Sequence, residues 1–168
     1  MQREINFTAR RFLSVQPDKF RVYIYNAKNK PFGFMGSMTG EYLGELRTRD
    51  KHLKSGNTVI TDAPVDNMGK GEAFSPTDLV CAALSSCMMT IMGQVADREN
   101  IDLTGMTTEI TKVMVSNPRR ISEVHISFTH PNLKADEKQK QKLKNAAQTC
   151  PVALSLAESI KQELSFNW

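Results

Sequence analysis

Cysteine is scarce in this 168-residue sequence: Cys81, Cys87 and Cys150 are too few, and odd in number, for a disulfide scaffold. No apolar run approaches the ~18 uninterrupted residues that span a bilayer, so no membrane partner is expected. The first twenty residues hold Arg3, Arg10 and Arg11 but no apolar stretch, which argues against a secretory signal. Unpaired cysteines without such a signal point to a reducing, cytoplasmic setting. There is no CxxC pair and His52, His125 and His130 are scattered, so no metal is expected. The stretch Asn67–Gly71 is glycine-bearing but has no lysine–serine pair after it, and is not a phosphate-cradling loop. Repeats and low-complexity segments are absent too.

What is present is globular material. Hydrophobic residues make up 40% and charged residues 24%, enough apolar surface to pay for an ordered core in a chain of one-domain length. The net charge of +4 is uneven. Residues 1–37 carry seven basic side chains against Glu4 and Asp18, so residues 38–168 are left slightly acidic. The first segment therefore reads as a basic extension, with one short strand at Phe20–Tyr25, and 38–168 as the main domain. With its basic character confined to that extension, the main domain has no general attraction for phosphate backbones, and no nucleic-acid partner is expected. The lysines from Lys134 to Lys144 fall on several helical faces and read as a solvated helix.

The pattern predicts strands at Tyr42–Thr48 and Thr58–Thr61, joined by a turn near Ser55–Gly56. Ser75-Pro76-Thr77-Asp78 then supplies a capping hydroxyl, a proline at the first helical position and a carboxylate three residues after the cap. The helix it opens runs to about Asp97 and is apolar on nearly its whole circumference, from Leu79 to Ala96. A helix of that kind must be enclosed on every side, and a subunit this small predicts a partner copy to help. Strands at Met106–Ser116 and Ile121–His130 follow, the second alternating Val124, Ile126 and Phe128 inward. An amphipathic helix over Ala135–Gln148 turns Leu143, Ala146 and Ala147 inward. Cys150-Pro151 opens a further helix through Ile160, and Leu164, Phe166 and Trp168 alternate in a last strand. This order reads as α+β.

By position, the cysteines leave two readings open: small buried hydrophobes, or chemistry. Cys150 sits at a helix start, where unpaired N–H groups favour a thiolate. Cys87 lies mid-helix and needs a cation from another element. Cys81 points some 120° away from Cys87 at ~100° per residue, and is a poor partner for it.

The run Ser75-Pro76-Thr77-Asp78-Leu79 through Ser85-Ser86-Cys87, with Cys150-Pro151-Val152 63 residues later, resembles the OsmC/Ohr family of thiol peroxidases. The resemblance covers about 38–168. It implies an intertwined homodimer, with two long central helices enclosed by strands from both chains. It implies an organic hydroperoxide as substrate, no cofactor, and an external dithiol, lipoyl-type in some members, as reductant. It further implies Cys87 as the peroxide-attacking thiolate, Cys150 as the resolving thiol, and an arginine of the first hairpin, Arg47 with Arg49 its neighbour, as the cation beside Cys87. Ohr-type members place a glutamate directly after the helix-opening proline to orient that arginine. Here Thr77 stands there, so Asp78 either takes over that role or only caps the helix. Phe74, Leu84, Met88 and Met92 are the candidate lining of an apolar substrate pocket, with core filling the other reading of the methionines. A redox sensor or small-ligand binder on the same fold is the alternative function.

Overall fold

Two residues with positive φ decide where the first strand stops. Glu45 (φ 50°) and Leu46 (φ 62°) follow Gly44 (φ 89°), a geometry that reverses the chain where sequence pattern reads one continuous strand over Tyr42–Thr48. The computed structural model describes residues 36–168. The basic extension and the strand expected at Phe20–Tyr25 lie outside these, apart from Gly36 and Ser37.

The reversal separates β1 (Met38–Gly44) from β2 (Arg47–His52), and β3 (Thr58–Asp62) completes an antiparallel sheet in the order β1-β2-β3. The Ser55–Gly56 turn lies where expected, between β2 and β3, with Gly56 at φ 77°. Its register sets Arg47 across from Asp62 and Thr48 across from Thr61. The sheet is tied to the start of the long helix. Thr61 bridges Phe74, and the Asp62 N–H donates to the Phe74 carbonyl at 3.1 Å.

Helix α1 covers Pro76–Glu99. Ser75 and Asp78 form the reciprocal cap that the sequence predicts, and Asn100 ends the helix in a left-handed conformation. Its buried side is the stripe Cys81, Leu84, Ser85, Met88, Met92 and Ala96, the 3.6-residue spacing of one face. Leu84, Met88 and Met92 are each 0% exposed, worth about 1.5–3 kcal/mol apiece in removed apolar surface. On the other side Val80, Ala83, Ser86 and Thr90 remain exposed within one chain. By length and composition α1 is apolar enough to cross a bilayer, but its stripe is the core of this fold.

The second sheet has the order β4-β5-β6, from β4 (Thr107–Ser116), β5 (Arg119–Thr129) and β6 (Lys161–Asn167). β4 and β5 are antiparallel, while β6 runs parallel to β5. Val124, Ile126 and Phe128 are buried, as their alternation predicts. Phe166 stacks on Phe128 at 5.1 Å between ring centroids. Helix α2 (Glu137–Gln148) turns Leu143, Ala146 and Ala147 into the same core. Helix α3 is only Pro151–Ser155, shorter than the helix expected through Ile160. Leu156 turns extended (ψ 153°), because the chain must reach Lys161 to begin its parallel register beside Glu123. The architecture is α+β.

Candidate active site

Cys87 sits in the middle of α1, half-buried, and Cys150 is the fully buried N-cap of α3, which packs on α1. The packing of α3 on α1 brings these two residues, 63 apart in the chain, into one region, near enough for the Cys87 side chain to raise the Cys150 thiol. All three cysteines are free thiols.

The environment of Cys150 corrects one expectation. Its sulfur does accept from the helix-start N–H of Ala153 at 3.3 Å, yet burial outweighs that donor and pushes the thiol up. The neighbouring Cys87 pushes in the same direction. A five-residue helix supplies too little dipole to offset full burial. Cys150 is kept as a neutral thiol.

Arg47 does not touch Cys87 within one chain. Its Nε donates to Asp62 Oδ1 at 2.6 Å, and its Nη2 donates to Asp62 Oδ2 at 2.8 Å and to Glu72 Oε2 at 2.6 Å. Asp62, 1% exposed, also accepts from the Glu72 N–H at 3.0 Å. The Arg47 side chain holds the Asp62 carboxyl below the ordinary carboxylate range, and the two carboxylates push Arg47 upward in turn. This group is anchored where β3 meets Phe74, just before α1, whereas Cys87 lies twelve residues past the cap, about 18 Å along the helix axis. Arg49 pairs instead with the exposed Glu41 at 3.3 Å.

Asp78 is not the carboxylate that orients Arg47. It accepts from Lys112 Nζ at 2.5 Å and from the Ser75 N–H at 2.8 Å. Burial raises its carboxyl, but the Lys112 and Ser75 hydrogen bonds outweigh burial and hold it low. Lys112 also donates to Thr77 Oγ1 at 2.8 Å, so the residue after the helix-opening proline faces a lysine, not an arginine.

The pocket expectation divides. Phe74 is 57% exposed and lines a cleft of about 560 Å³ together with Glu72, Asp78, Cys81, Ile110 and Lys112. Leu84, Met88 and Met92 do not reach it; they are core, because their face of α1 is the one covered by the sheet and the other helices. Cys81 borders this cleft as a third thiol, raised by burial and lowered by Lys112. Among the described residues no cluster of side chains is arranged to hold a metal ion. Sequence reasoning missed Asp62, Glu72 and Lys112. For Asp62 the signal was present, since folding the strand back at the Ser55–Gly56 turn places it opposite Arg47.

Two three-stranded sheets, a long apolar helix bearing Cys81 and Cys87, and a short helix capped by Cys150 define an α+β protein with thiols on two packed helices. The chain belongs to the OsmC-like family, whose model matches residues 69–165. A protein from Psychrobacter arcticus, named for osmotic stress induction and a detoxification response, is 51% identical, with a TM-score of 0.77 over 81% of this chain and 98% of that one. An OsmC-like protein from Mycoplasma pneumoniae shares the fold at 14% identity, with a TM-score of 0.64 over 77% of this chain and 94% of that one. So does an organic hydroperoxide resistance protein OsmC from Legionella pneumophila, at 17% identity and a TM-score of 0.58 over 80% and 98%. No curated protein matches the chain. The OsmC-like α+β fold implied by the sequence resemblance is the fold observed in the single chain.

Proposed function

We propose that this protein is a thiol peroxidase for organic hydroperoxides, working in a reducing cytoplasm. What supports the reading is that α3, capped by Cys150, packs on α1, which carries Cys87, with the Cys87 side chain acting on the Cys150 thiol. The Cys87 thiolate attacks the distal peroxide oxygen, breaking the O–O bond to give a sulfenic acid and an alkoxide that takes up a proton as alcohol. Cys150 then gives its thiol to that sulfenic acid, forming a disulfide and releasing water. An external dithiol, of lipoyl type among the candidates, restores both thiols and is itself oxidised to a disulfide. A buried neutral Cys150 suits the second role, because it leaves the first attack to the more accessible Cys87. The Phe74 cleft borders Cys81 and not Cys87, so within one chain it does not lead a peroxide to the reacting sulfur.

The cation for Cys87 has to come from somewhere other than the Arg47 of its own chain. No cationic side chain hydrogen-bonds Cys87 among the described residues, and Arg47 is engaged with Asp62 and Glu72. A homodimer in which α1 packs on its twin supplies Arg47 from the second copy. The exposed Val80, Ala83, Ser86 and Thr90 face of α1 is the surface such a contact needs.

The test is turnover of cumene hydroperoxide with a dithiol donor. Cys87→Ser is expected to lose turnover by about a thousandfold or more, the scale of removing a covalent nucleophile. Cys150→Ser is expected to accumulate oxidised Cys87, seen as a mass gain of one oxygen. Wild-type turnover in Cys87→Ser refutes the reading. Stoichiometric thiol loss without turnover favours the redox-sensor alternative.

A further inference from the structure

A second cleft, of about 400 Å³, lies between the β1–β2 turn, the loop after β3, the start of α1 and the β4–β5 hairpin. That is the size of a small-molecule site. Leu46, Ala63, Pro64 and Met114 supply apolar wall from three of those segments. The polar groups are hydroxyls, the Asn67 amide and two guanidiniums, Arg119 and Arg120, and no carboxylate lines the cleft. The Phe74 cleft differs, holding Glu72 and Asp78 as well as Lys112. Arg119 Nη2 donates to the exposed Asp66 Oδ2 at 3.0 Å, a solvated pair of little strength. Arg120 is exposed and forms no ion pair among the described residues. An apolar cleft edged by uncompensated positive charge selects a ligand with an apolar body and one anionic end. Burial holds the body, and the guanidinium takes the anion through paired N–H donors.

We propose that this cleft binds a small amphipathic carboxylate, its apolar body against Leu46 and Met114 and its carboxylate at Arg120. Asp66, bound to Arg119, is the competing anion. The site is separate from the thiol chemistry and does not depend on the peroxidase reading. It borders Ser75, Pro76 and Thr77 at the start of α1, whereas Cys87 lies ten residues beyond Thr77, about 15 Å along the helix. Neither Cys87 nor Cys150 lines it, and it uses no residue of the exposed Val80, Ala83, Ser86 and Thr90 face.

The experiment is calorimetric titration of the full chain with decanoate, kept below the concentration at which it forms micelles. Saturable binding of one decanoate per chain is expected. Decanol, the same chain without the charge, is expected to bind about tenfold more weakly, the scale of a charge-assisted hydrogen bond. Arg120→Ala is expected to weaken decanoate by about the same factor and to leave decanol unchanged. Leu46→Asp is expected to abolish decanoate binding, because it sets a carboxylate in the cleft, and aspartate accepts the left-handed backbone there (φ 62°). Asp66→Asn is expected to tighten decanoate by about twofold, since it removes the competing anion from Arg119. All three positions are exposed, so these variants are expected to melt close to wild type. Cys87→Ser is expected to bind decanoate as wild type does. Decanol binding as tightly as decanoate overturns the proposal, as does an Arg120→Ala variant with wild-type affinity. Loss of binding in Cys87→Ser overturns it too, by tying the ligand to the thiol. Uptake of many decanoates that Leu46→Asp does not reduce is detergent-like adsorption and also refutes the site.

Discussion

Asp62 and Asp78 show how differently two acidic residues can be used within one small region. Asp62 holds an arginine across a sheet register, and Asp78 holds a lysine across the start of α1. Both carboxyls sit below their ordinary range, so the fold favours their charged forms. Their contribution to stability is therefore complete above the unfolded value near pH 4 and is lost as pH falls through the depressed folded values. Thermal melts from pH 6 down to pH 3 are expected to show a falling midpoint below about pH 4, and Asp78→Asn is expected to make that fall shallower. A slope unchanged in the variant assigns the acid sensitivity to other groups. At this scale the sequence was readable where a residue's role follows from its neighbours along the chain. Ser75 and Asp78 as a cap, and Cys150 before Pro151, belong to that group. Lys112 was not readable as the partner of Asp78, because 34 residues and a change of element separate them. Nor does helical spacing say whether a shared face looks into a cleft or into the core, so both readings of Met88 and Met92 stay open in the sequence and the fold decides for the core.

Among the elements, α1 carries most of the fold and was the most legible. Its cap signature and apolar length are local properties, and the observed limits fall within two residues of those expected. Its energetics should divide by position. Met88→Ala removes a fully buried side chain at the centre of the stripe and is expected to cost about 2–5 kcal/mol in urea denaturation. Ser75→Ala removes the cap acceptor for the Asp78 N–H together with the hydroxyl's bonds to Asp78 Oδ2, Thr77 and Lys112, and is expected to cost about 0.5–2 kcal/mol. Equal losses would mean that the helix start, with its Lys112 contacts, matters as much as the core. The two elements misjudged from sequence failed for a common reason. At Glu45–Leu46 the chain turns on residues that rarely accept positive φ, helped by a hydrogen bond from the Leu46 N–H to the Tyr42 hydroxyl. At Leu156 a good helix former is drawn out of α3 by the need to begin β6. In both places sheet pairing overrides local preference.

At the scale of the whole molecule, the exposed face of α1 and the placement of Arg47 point to one arrangement. In the homodimer proposed above, a two-fold contact centred near Ala83 would set each Cys87 against the first turns of the opposite α1, the end where β2 and β3 hold Arg47. Under that proposal every site would draw its sulfurs from one chain and its guanidinium from the other. This has a consequence that no single-chain site shares. Arg47→Ala and Cys87→Ser homodimers should each be inactive, but unfolding and refolding them together produces mixed dimers. In each mixed dimer, one site combines the intact Cys87 of one chain with the intact Arg47 of the other. Random pairing makes about half the dimers mixed, each with one working site of two, so turnover should return to about a quarter of wild type. If Arg47 instead serves the Cys87 of its own chain, every site in the mixture stays broken and turnover stays at the level of the separate variants. Ala83→Glu gives the complementary measurement: a charge buried at the centre of the contact should shift sedimentation to the monomer and abolish turnover while leaving Cys87 and Cys150 free to meet.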